Sequence, residues 1–404
     1  MKKIIAIVVL VVVVGVGFFL YFRPNIRGAL FAFKSPPEDI TKKIPETGKE
    51  LPPENLTDFP LKLPAGFSIS VFAKNLPGAR DMAFGPDGAL WVSQTNEGKI
   101  TRLTIEDGKV SRAQDVYTKL SRPHGIAFDY REPQVLYVAS EGGLLRVDTT
   151  KSEAPRRVIQ LPSGGNHNYY SLRFGPDGRL YISMGSTCNV CLERDKRRAT
   201  IYSVNSDGSD LREFAHGLRN APFFTWSYVD GRMWATEMGR DLLGDDTPPD
   251  EINIVEQGKN YGWPICYGKN IHDTDFDKNT YIRNPCMEPF EISSHVDLPA
   301  HSAPLGLGFI PEEGWPEEYW YDLLVAYHGS WNRTEPTGYK LVRVKLDAKG
   351  NFEGIEDFIS GWLTSAGALG RPVGILIQPG GTVYISDDSA GVIYKVARAS
   401  LTGL

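Results

Sequence analysis

The sequence predicts an all-β fold, a six-bladed β-propeller, that follows an N-terminal transmembrane helix. A unit of strand, tight turn and strand recurs six times along the chain. Tryptophan or tyrosine occupies the same place in four of these units, at positions 91, 137, 181 and 234, which are 46, 44 and 53 residues apart. Repeats of about 40–50 residues that hold several strands are typical of propeller blades. The many glycines (41) and prolines (28), with 11% aromatic residues, favour short strands and turns over helices.

The six units share one layout, which is clearest where residues 172–174 lead through a Gly-Pro-Asp-Gly turn to residues 180–183. Alternating apolar residues at 67–72 form a further strand, which we expect to pair with the last blade and close the ring. The predicted division is an anchor and juxtamembrane segment at 1–34, a Pro-rich linker at 35–62, the propeller at 63–398 and a tail at 399–404.

The N-terminal element is the apolar run at residues 4–22, with Lys2 and Lys3 before it and Arg23 and Arg27 after it. At about 1.5 Å per helical residue the run reaches roughly 28 Å, which is close to the thickness of a bilayer core. No small-x-small cleavage site follows, so an uncleaved anchor is favoured over a cleaved signal peptide. Positive charge on both sides leaves the orientation open on that criterion.

Four cysteines indicate the compartment of the folded part. Cys188 and Cys191 form a C-x-x-C pair, and Cys266 and Cys286 follow. A zinc site is the alternative, but the two pairs are far apart and the second is widely spaced. Two disulfides are favoured behind an export signal, and of three possible pairings the local one is simplest. We therefore expect the propeller in the periplasm or outside the cell.

The residues just before the first strand of each unit should gather at one mouth of the propeller channel. They are Arg80, Asp81, Arg122, His124, His167, Arg219, Asn220, His301, Ser302 and Arg371. Four arginines with one aspartate would repel one another without an anionic guest, so the set predicts a cavity for a polyanion. A histidine there could serve as a general base. The alternative is that these residues merely pair with backbone carbonyls at the blade edges.

A loop rich in carboxylates and glycines is the second candidate site. Glu237, Gly239 and Arg240 are followed by the segments 250–253 and 258–264. Oxygen ligands of this kind suit Ca²⁺, although a solvated acidic loop has the same composition. Residues 327–333 could cover the channel mouth or form a surface turn. The net charge of −5 and the lack of runs of like charge give no support for nucleic-acid binding.

The region from about 63 to 398 resembles the glucose/sorbosone dehydrogenase family, six-bladed propeller enzymes that use pyrroloquinoline quinone (PQQ). The resemblance rests on His167 before residues 174–181, and on the segments 217–220, 250–253 with 260–264, and 370–372. Residues 185–191 and 328–333 are similar to the sorbosone dehydrogenase branch.

The resemblance implies a role for each matched position. It implies that the tricarboxylate PQQ is held by Arg219, Asn220 and Arg371, and that His167 takes the proton from the substrate hydroxyl as hydride passes to the quinone. The remaining implied sites are the carbonyls of Gly239 and Arg240 for the Ca²⁺ that polarises the cofactor, and Glu251 and Tyr261 for a second, structural Ca²⁺.

The sequence departs from the soluble glucose enzymes at four places. Their cofactor-binding lysine is absent, and we expect His328 or Arg333 to substitute for it. Their cofactor-contacting glutamine has no clear match, although Arg122 and His124 stand nearby. The last two departures are Val373 in place of an arginine and Met238 in place of a glutamine.

The sequence thus predicts a membrane-tethered dehydrogenase that uses PQQ and Ca²⁺ to oxidise an aldose or sugar aldehyde. A separate electron acceptor is expected, because the chain has no C-x-x-C-H haem site. Two alternatives remain: a Ca²⁺-dependent hydrolase such as a lactonase, and a non-catalytic propeller that binds carbohydrate or protein. Asp81 is the only central carboxylate, which counts against the lactonase.

Overall fold

The computed structural model describes residues 12–17, 37–41 and 54–398. It confirms the six-bladed β-propeller. Each blade has its first strand innermost, and in five of the six blades the strands form an antiparallel sheet in chain order. The sixth blade is completed by strands from the N-terminal side of the propeller. The six innermost strands contact one another in cyclic order, so they enclose a central channel.

The first half of the ring is built from three regular four-stranded blades. Two strands precede them, β1 (Asn55–Leu56) and β2 (Phe67–Ala73). Blade 1 contains β3 (Ala79–Phe84), β4 (Leu90–Gln94), β5 (Lys99–Glu106) and β6 (Lys109–Tyr117). Blade 2 contains β7 (Ile126–Phe128), β8 (Val135–Ser140), β9 (Gly143–Asp148) and β10 (Arg156–Gln160). Blade 3 contains β11 (Ser171–Phe174), β12 (Leu180–Met184), β13 (Thr200–Val204) and β14 (Arg212–His216).

The remaining blades carry the insertions. Blade 4 contains β15 (Phe224–Trp226), β16 (Met233–Glu237), β17 (Asp250–Val255) and β20 (Val296–Leu298), with the inserted hairpin β18 (Cys266–Tyr267) and β19 (Ile271–His272). Blade 5 contains β21 (Pro304–Phe309), the 3-10 helix Glu317–Tyr319, β22 (Leu323–Tyr327), β23 (Lys340–Leu346) and β24 (Phe352–Ile359). Blade 6 follows the hairpin β25 (Leu363–Thr364) and β26 (Gly367–Ala368) and contains β27 (Pro372–Gln378), β28 (Thr382–Asp387) and β29 (Val392–Arg398).

The ring closes as the sequence predicts. Strand β2 pairs antiparallel with β29, with Ile69 opposite Val396. Strand β1 then adds to β2 in parallel. The first and last parts of the propeller therefore share one sheet, and the backbone hydrogen bonds between β2 and β29 close the ring.

The core lies between the blades, where apolar side chains alternate along each strand. Trp234 of blade 4 packs edge-on against Phe309 of blade 5, with ring centroids 5.4 Å apart. Trp362 and Tyr394 pack in the same manner at 5.5 Å beside blade 6. All four side chains are buried. Packing of this kind holds the loops at the channel mouth on a rigid support.

An ion pair between a partly buried arginine and a buried aspartate crosses the channel between blades 1 and 3. Asp81 accepts hydrogen bonds from both terminal nitrogens of Arg173, at 2.7 and 2.6 Å. It also accepts from the backbone N–H of Ile126 in blade 2 at 2.9 Å. The sequence placed Asp81 at the mouth, but its carboxylate joins three innermost strands within the channel. It is therefore not available as a metal ligand of the kind that a lactonase would need.

The N-terminal predictions fall largely outside the described residues. Residues 12–17 are the only described part of the predicted span at 4–22, and they are helical. No helix within the described ranges is long and apolar enough to cross a membrane. Parts of the predicted linker at 35–62 contact the propeller, because Phe59 and Leu61 bury their side chains against blade 6. The remaining domain limits are still predictions.

Candidate active site

A cavity of about 520 Å³ opens at the channel mouth. The loops that precede the innermost strands form its wall, as the sequence predicts. Eight of the predicted site residues line it: Arg80, His167, Arg219, Asn220, Gly239, His301, His328 and Arg371. The volume lies within the range that is usual for small-molecule sites.

His167 stands between blades 2 and 3 in an environment that fixes its tautomer. Its Nδ1 lies 2.8 Å from the hydroxyl of Ser186, and that hydroxyl donates to the carbonyl of Cys188 at 2.7 Å. The hydroxyl proton is thus committed to Cys188, so the Ser186 oxygen accepts from Nδ1–H of His167. Nε2 then carries the lone pair. A side chain at Gly185 would place its Cβ 2.5 Å from the Cβ of His167, which explains the glycine there.

The imidazole is neutral over a wide pH range. Burial, and secondarily the positive charge of Arg219, lowers the pKa of His167 to about 3 from its ordinary value of 6.5. The ring can therefore accept a proton at Nε2 from a bound hydroxyl group without first losing one to the solvent.

The same shift predicts a pH dependence of stability. Between about pH 6.5 and 3, the unfolded chain binds a proton at His167 that the folded chain excludes, so stability falls as the pH is lowered through this window. We expect the slope of the unfolding free energy to be steeper in the wild type than in His167→Gln, by up to about 1.4 kcal/mol per pH unit. Urea unfolding between pH 6 and 4.5 measures both slopes. Parallel curves would contradict the buried neutral histidine.

Arg219 is the most fully bonded side chain of the cavity wall. Nη1 donates to the carbonyls of Met238 and Gly239, at 3.2 and 3.0 Å. Nε and Nη2 donate to Asn189 and Asp241. These five contacts equal the number of guanidinium N–H groups. Arg219 thus brings positive charge to the wall while its donors are held by the protein.

Arg371 and Arg80 also line the cavity and retain donors. Arg371 donates to the carbonyl of Gly329 at 3.2 Å and to the hydroxyl of Tyr339 at 3.0 Å. Arg80 donates to Asp388 at 2.8 Å, and its buried Nε has no hydrogen-bond partner. An anion in the cavity could accept from the remaining N–H groups of both arginines.

Asp388 is a cavity residue that the sequence reasoning missed. It accepts from Nε2 of His328 at 2.9 Å as well as from Arg80. Burial opposes ionisation, but the hydrogen bonds and charges of His328 and Arg80 hold the pKa of Asp388 below its usual range. The available signal was its position directly after β28, at the strand end that faces the mouth.

The charge balance of the cavity differs from the sequence expectation. Three arginines line it, and Asp241, Asp250 and Asp388 line it with them. Asp241 pairs with Arg219 at 3.1 Å, and Asp388 pairs with Arg80. The expectation of four arginines facing one aspartate is therefore wrong, because Arg122 does not line the cavity and two of the other three arginines are paired with aspartates.

A small cation-sized cavity of about 20 Å³ lies behind the wall of the larger one. Glu237 and Glu251, which stand opposite each other on β16 and β17, both line it. Oε2 of Glu237 is buried without a hydrogen-bond partner. Burial and the negative charge of Glu251 raise the pKa of Glu237 well above its ordinary value, and burial raises the pKa of Glu251 to about 7. A cation would relieve both carboxylates.

The side chains of two other residues predicted to bind calcium, Tyr261 and Arg240, are bonded to other groups of the protein. The hydroxyl of Tyr261 donates to the carbonyl of Ile254 at 2.6 Å and accepts from the N–H of Glu256 at 2.8 Å. Its side chain is therefore committed to the protein. The side chain of Arg240 pairs with Asp273 at 2.7 Å, so Arg240 could offer only its carbonyl, as the resemblance implies.

The TrAA12-like family matches residues 61–399. The chain belongs to this family. An uncharacterised protein of Borreliella burgdorferi is 30% identical over 356 residues, which cover 83% of this chain and 90% of that protein. The family match confirms the resemblance to PQQ-dependent sugar dehydrogenases.

Solved structures share the fold of this TrAA12-like protein. The holo form of the pyranose dehydrogenase PQQ domain from Coprinopsis cinerea has a TM-score of 0.70 and 20% identity, covering 87% of this chain and 99% of that chain. The calcium structure of the family AA12 enzyme of Trichoderma reesei has a TM-score of 0.72 and 18% identity, covering 88% and 100%.

Three residues predicted to bind cofactor do not line the cavity of this TrAA12-like protein. Arg333 donates to the carbonyl of Asp245 at 2.7 Å and to the carboxylate of Asp246 at 2.6 Å. Of the two residues expected to substitute for the missing lysine, His328 lines the cavity and Arg333 does not. The other two, Arg122 and His124, support the ring of Tyr169 from behind.

Arg122 and His124 differ in their hydrogen bonding. Arg122 donates to the hydroxyl of Tyr169 and lies 4.7 Å from the centre of its ring. His124 is completely buried, and neither ring nitrogen has a hydrogen-bond partner. Burial lowers the pKa of His124 well below its ordinary value, so the ring is neutral. Both residues act on the cavity through Tyr169.

The two disulfides predicted by local pairing are present. Cys188 is bonded to Cys191, and Cys266 to Cys286. The cysteines are thus not free to bind zinc. Both bridges lie beside the site, since Cys188 accepts the hydrogen bond of Ser186 and Cys266 lines the small cavity.

Proposed function

We propose that this TrAA12-like protein is a dehydrogenase that uses PQQ and Ca²⁺ to oxidise an aldose or sugar aldehyde. The observation that carries the proposal is the neutral His167, whose Nδ1 proton is held by Ser186 in a cavity lined by arginines. A non-catalytic binding site would have no need of a buried base with a fixed tautomer. The family membership supports the same class of reaction.

The residues of the cavity fit an anionic cofactor. Arg80 and Arg371 have N–H groups that no protein acceptor uses. Two arginines and polar amides are the usual partners of carboxylates. We therefore assign the carboxylates of PQQ to Arg80 and Arg371, with Asn220 and His328 beside them. Bound there, PQQ supplies the two-electron acceptor for the substrate hydride.

His167 and the carboxylate pair have separate roles. Nε2 of His167 takes the proton of the substrate hydroxyl, and Ser186 keeps the ring in the required tautomer. Glu237 and Glu251 would hold a Ca²⁺ ion in the small cavity and rigidify the segment that leads to Gly239. The disulfides favour a location outside the cytoplasm, where a separate electron acceptor completes the cycle.

The test of this proposal is cofactor binding by the full-length chain. With Ca²⁺ present, we expect micromolar PQQ to give a bound absorbance spectrum, and a panel of aldoses to reduce a dye through the loaded protein. Chelation of Ca²⁺ should abolish both. No binding at micromolar PQQ would overturn the dehydrogenase assignment and favour the binding propeller.

A substitution of Arg371 tests the cofactor position. Hydrogen bonds to charged groups are worth about 1.5–3 kcal/mol, so Arg371→Ala should weaken PQQ binding by roughly 10- to 100-fold. Arg156→Ala, an exposed arginine at the outer edge of blade 2, is the matched control and should leave the affinity unchanged. Equal affinity of both variants in a fluorescence titration would remove Arg371 from the site.

A further inference from the structure

The loop between β12 and β13 packs against the cavity wall and carries a residue to which the sequence assigns no individual role. Asn189 lies within the four-residue segment that the disulfide Cys188–Cys191 closes. It is half-buried and contacts two charged residues of the cavity wall, Arg219 and Asp241.

Asn189 makes four hydrogen bonds to these two residues. Its carbonyl accepts from Nε of Arg219 at 2.8 Å, and its Oδ1 accepts from Nη2 of Arg219 at 2.9 Å. The same Oδ1 accepts from the backbone N–H of Asp241 at 2.8 Å, and Nδ2 donates to the carbonyl of Asp241 at 3.0 Å. Asp241 in turn pairs with Arg219 at 3.1 Å. The three residues form one closed cluster in which every partner fixes the other two.

The disulfide restricts the backbone on both sides of Asn189. Cys188 and Cys191 close a loop of four residues, which removes conformational freedom before any contact forms. The carbonyl of Cys188 also holds the Ser186 hydroxyl that orients His167. The bridged segment thus contacts Arg219 through Asn189. It also contacts His167 indirectly, through the hydrogen bond between Cys188 and Ser186.

We propose that Asn189 is a positioning residue of this dehydrogenase, held by the Cys188–Cys191 disulfide, and that it fixes Arg219 and Asp241 in the cavity wall, so that the positive charge of Arg219 is held beside the anionic cofactor. The inference rests on the proposed function. Asn189 acts without contacting the cofactor, because its polar atoms are used by Arg219 and Asp241. Its loss should therefore weaken cofactor binding more than it slows turnover of the loaded enzyme.

The first measurement is made without cofactor. Hydrogen exchange of the full-length apo chain reports on the amide of Asp241, which donates to Oδ1 of Asn189. We expect Asn189→Ala to speed exchange of the peptide containing this amide by about tenfold or more. The double variant Cys188→Ser/Cys191→Ser should speed exchange at the same peptide, and it serves as the second test if Asn189→Ala does not fold.

The second measurement is PQQ affinity. Asn189→Ala should raise the dissociation constant by roughly 10- to 100-fold, while turnover at saturating PQQ changes less than about threefold. The matched control is Asn205→Ala, because Asn205 accepts from Arg179 at 2.6 Å at the opposite end of blade 3. It should leave both exchange at Asp241 and the affinity unchanged.

The outcomes separate this inference from the proposed function. Unchanged exchange at Asp241 in Asn189→Ala would overturn the positioning role, whether or not PQQ binds. Faster exchange with unaltered PQQ affinity would overturn its link to the cofactor. A wild-type chain that binds no PQQ would refute the proposed function and, with it, that link, whereas the exchange data would still decide whether Asn189 orders the wall.

Discussion

Replacing His167 by glutamine should reduce turnover by about three orders of magnitude and leave PQQ affinity within about twofold of the wild type. A positioned general base contributes typically about 10²- to 10⁴-fold. Glutamine can still fill the space beside Gly185 and donate to the Ser186 hydroxyl, but it offers no basic nitrogen to the substrate. Stopped-flow reduction of the loaded enzyme by an aldose measures the loss at the chemical step.

The matched control is His216→Gln. His216 lies at the end of the outermost strand of blade 3, where Nδ1 contacts Glu213 at 2.8 Å in an exposed position. It shares the residue type and the blade with His167, but it lies outside the cavity lining. Turnover above a tenth of the wild-type value in His167→Gln would show that another group takes the proton.

Replacing Asp81 by asparagine should lower the free energy of unfolding by about 3 kcal/mol. Removing one partner of a buried ion pair costs about 3–5 kcal/mol, and the lower end applies because the side chain of Arg173 is 27% exposed. The amide nitrogen of asparagine would face a guanidinium that already donates, and the charge of Arg173 would lose its counterion. Chemical unfolding followed by tryptophan fluorescence measures the change.

Two further variants isolate the cause of this loss. The double variant Asp81→Asn/Arg173→Met should recover about 2 kcal/mol, because no unpaired charge is then left in the channel. Asp87→Asn breaks an ion pair of the same residue types in blade 1, where Asp87 and Arg102 are 42% and 27% exposed. It should cost less than about 1 kcal/mol. Equal losses at the two aspartates would contradict the role assigned to the channel pair.

The features that the sequence predicts correctly are those determined by residues that lie close together in the chain. The repeated unit of strand, turn and strand defines each blade, because the side-chain alternation and the turn residues lie close together in the sequence. The local pairing of Cys188 with Cys191 and of Cys266 with Cys286 follows the same logic. Position just before an innermost strand places His167, Arg219 and Arg371 at the mouth, since every blade has the same handedness.

Only the tertiary structure decides which groups meet at that mouth. Arg80 and Asp388 are 308 residues apart, and Arg173 reaches Asp81 over 92 residues. A repeat shows at which end of a strand a side chain stands, but not which partner the closed ring brings to it. The repeat therefore does not predict that Asp81 pairs with Arg173 within the channel or that Arg122 contacts Tyr169. The blades and their turns are encoded locally, whereas the ion pairs Arg80–Asp388 and Asp81–Arg173 form only when the ring brings different blades together.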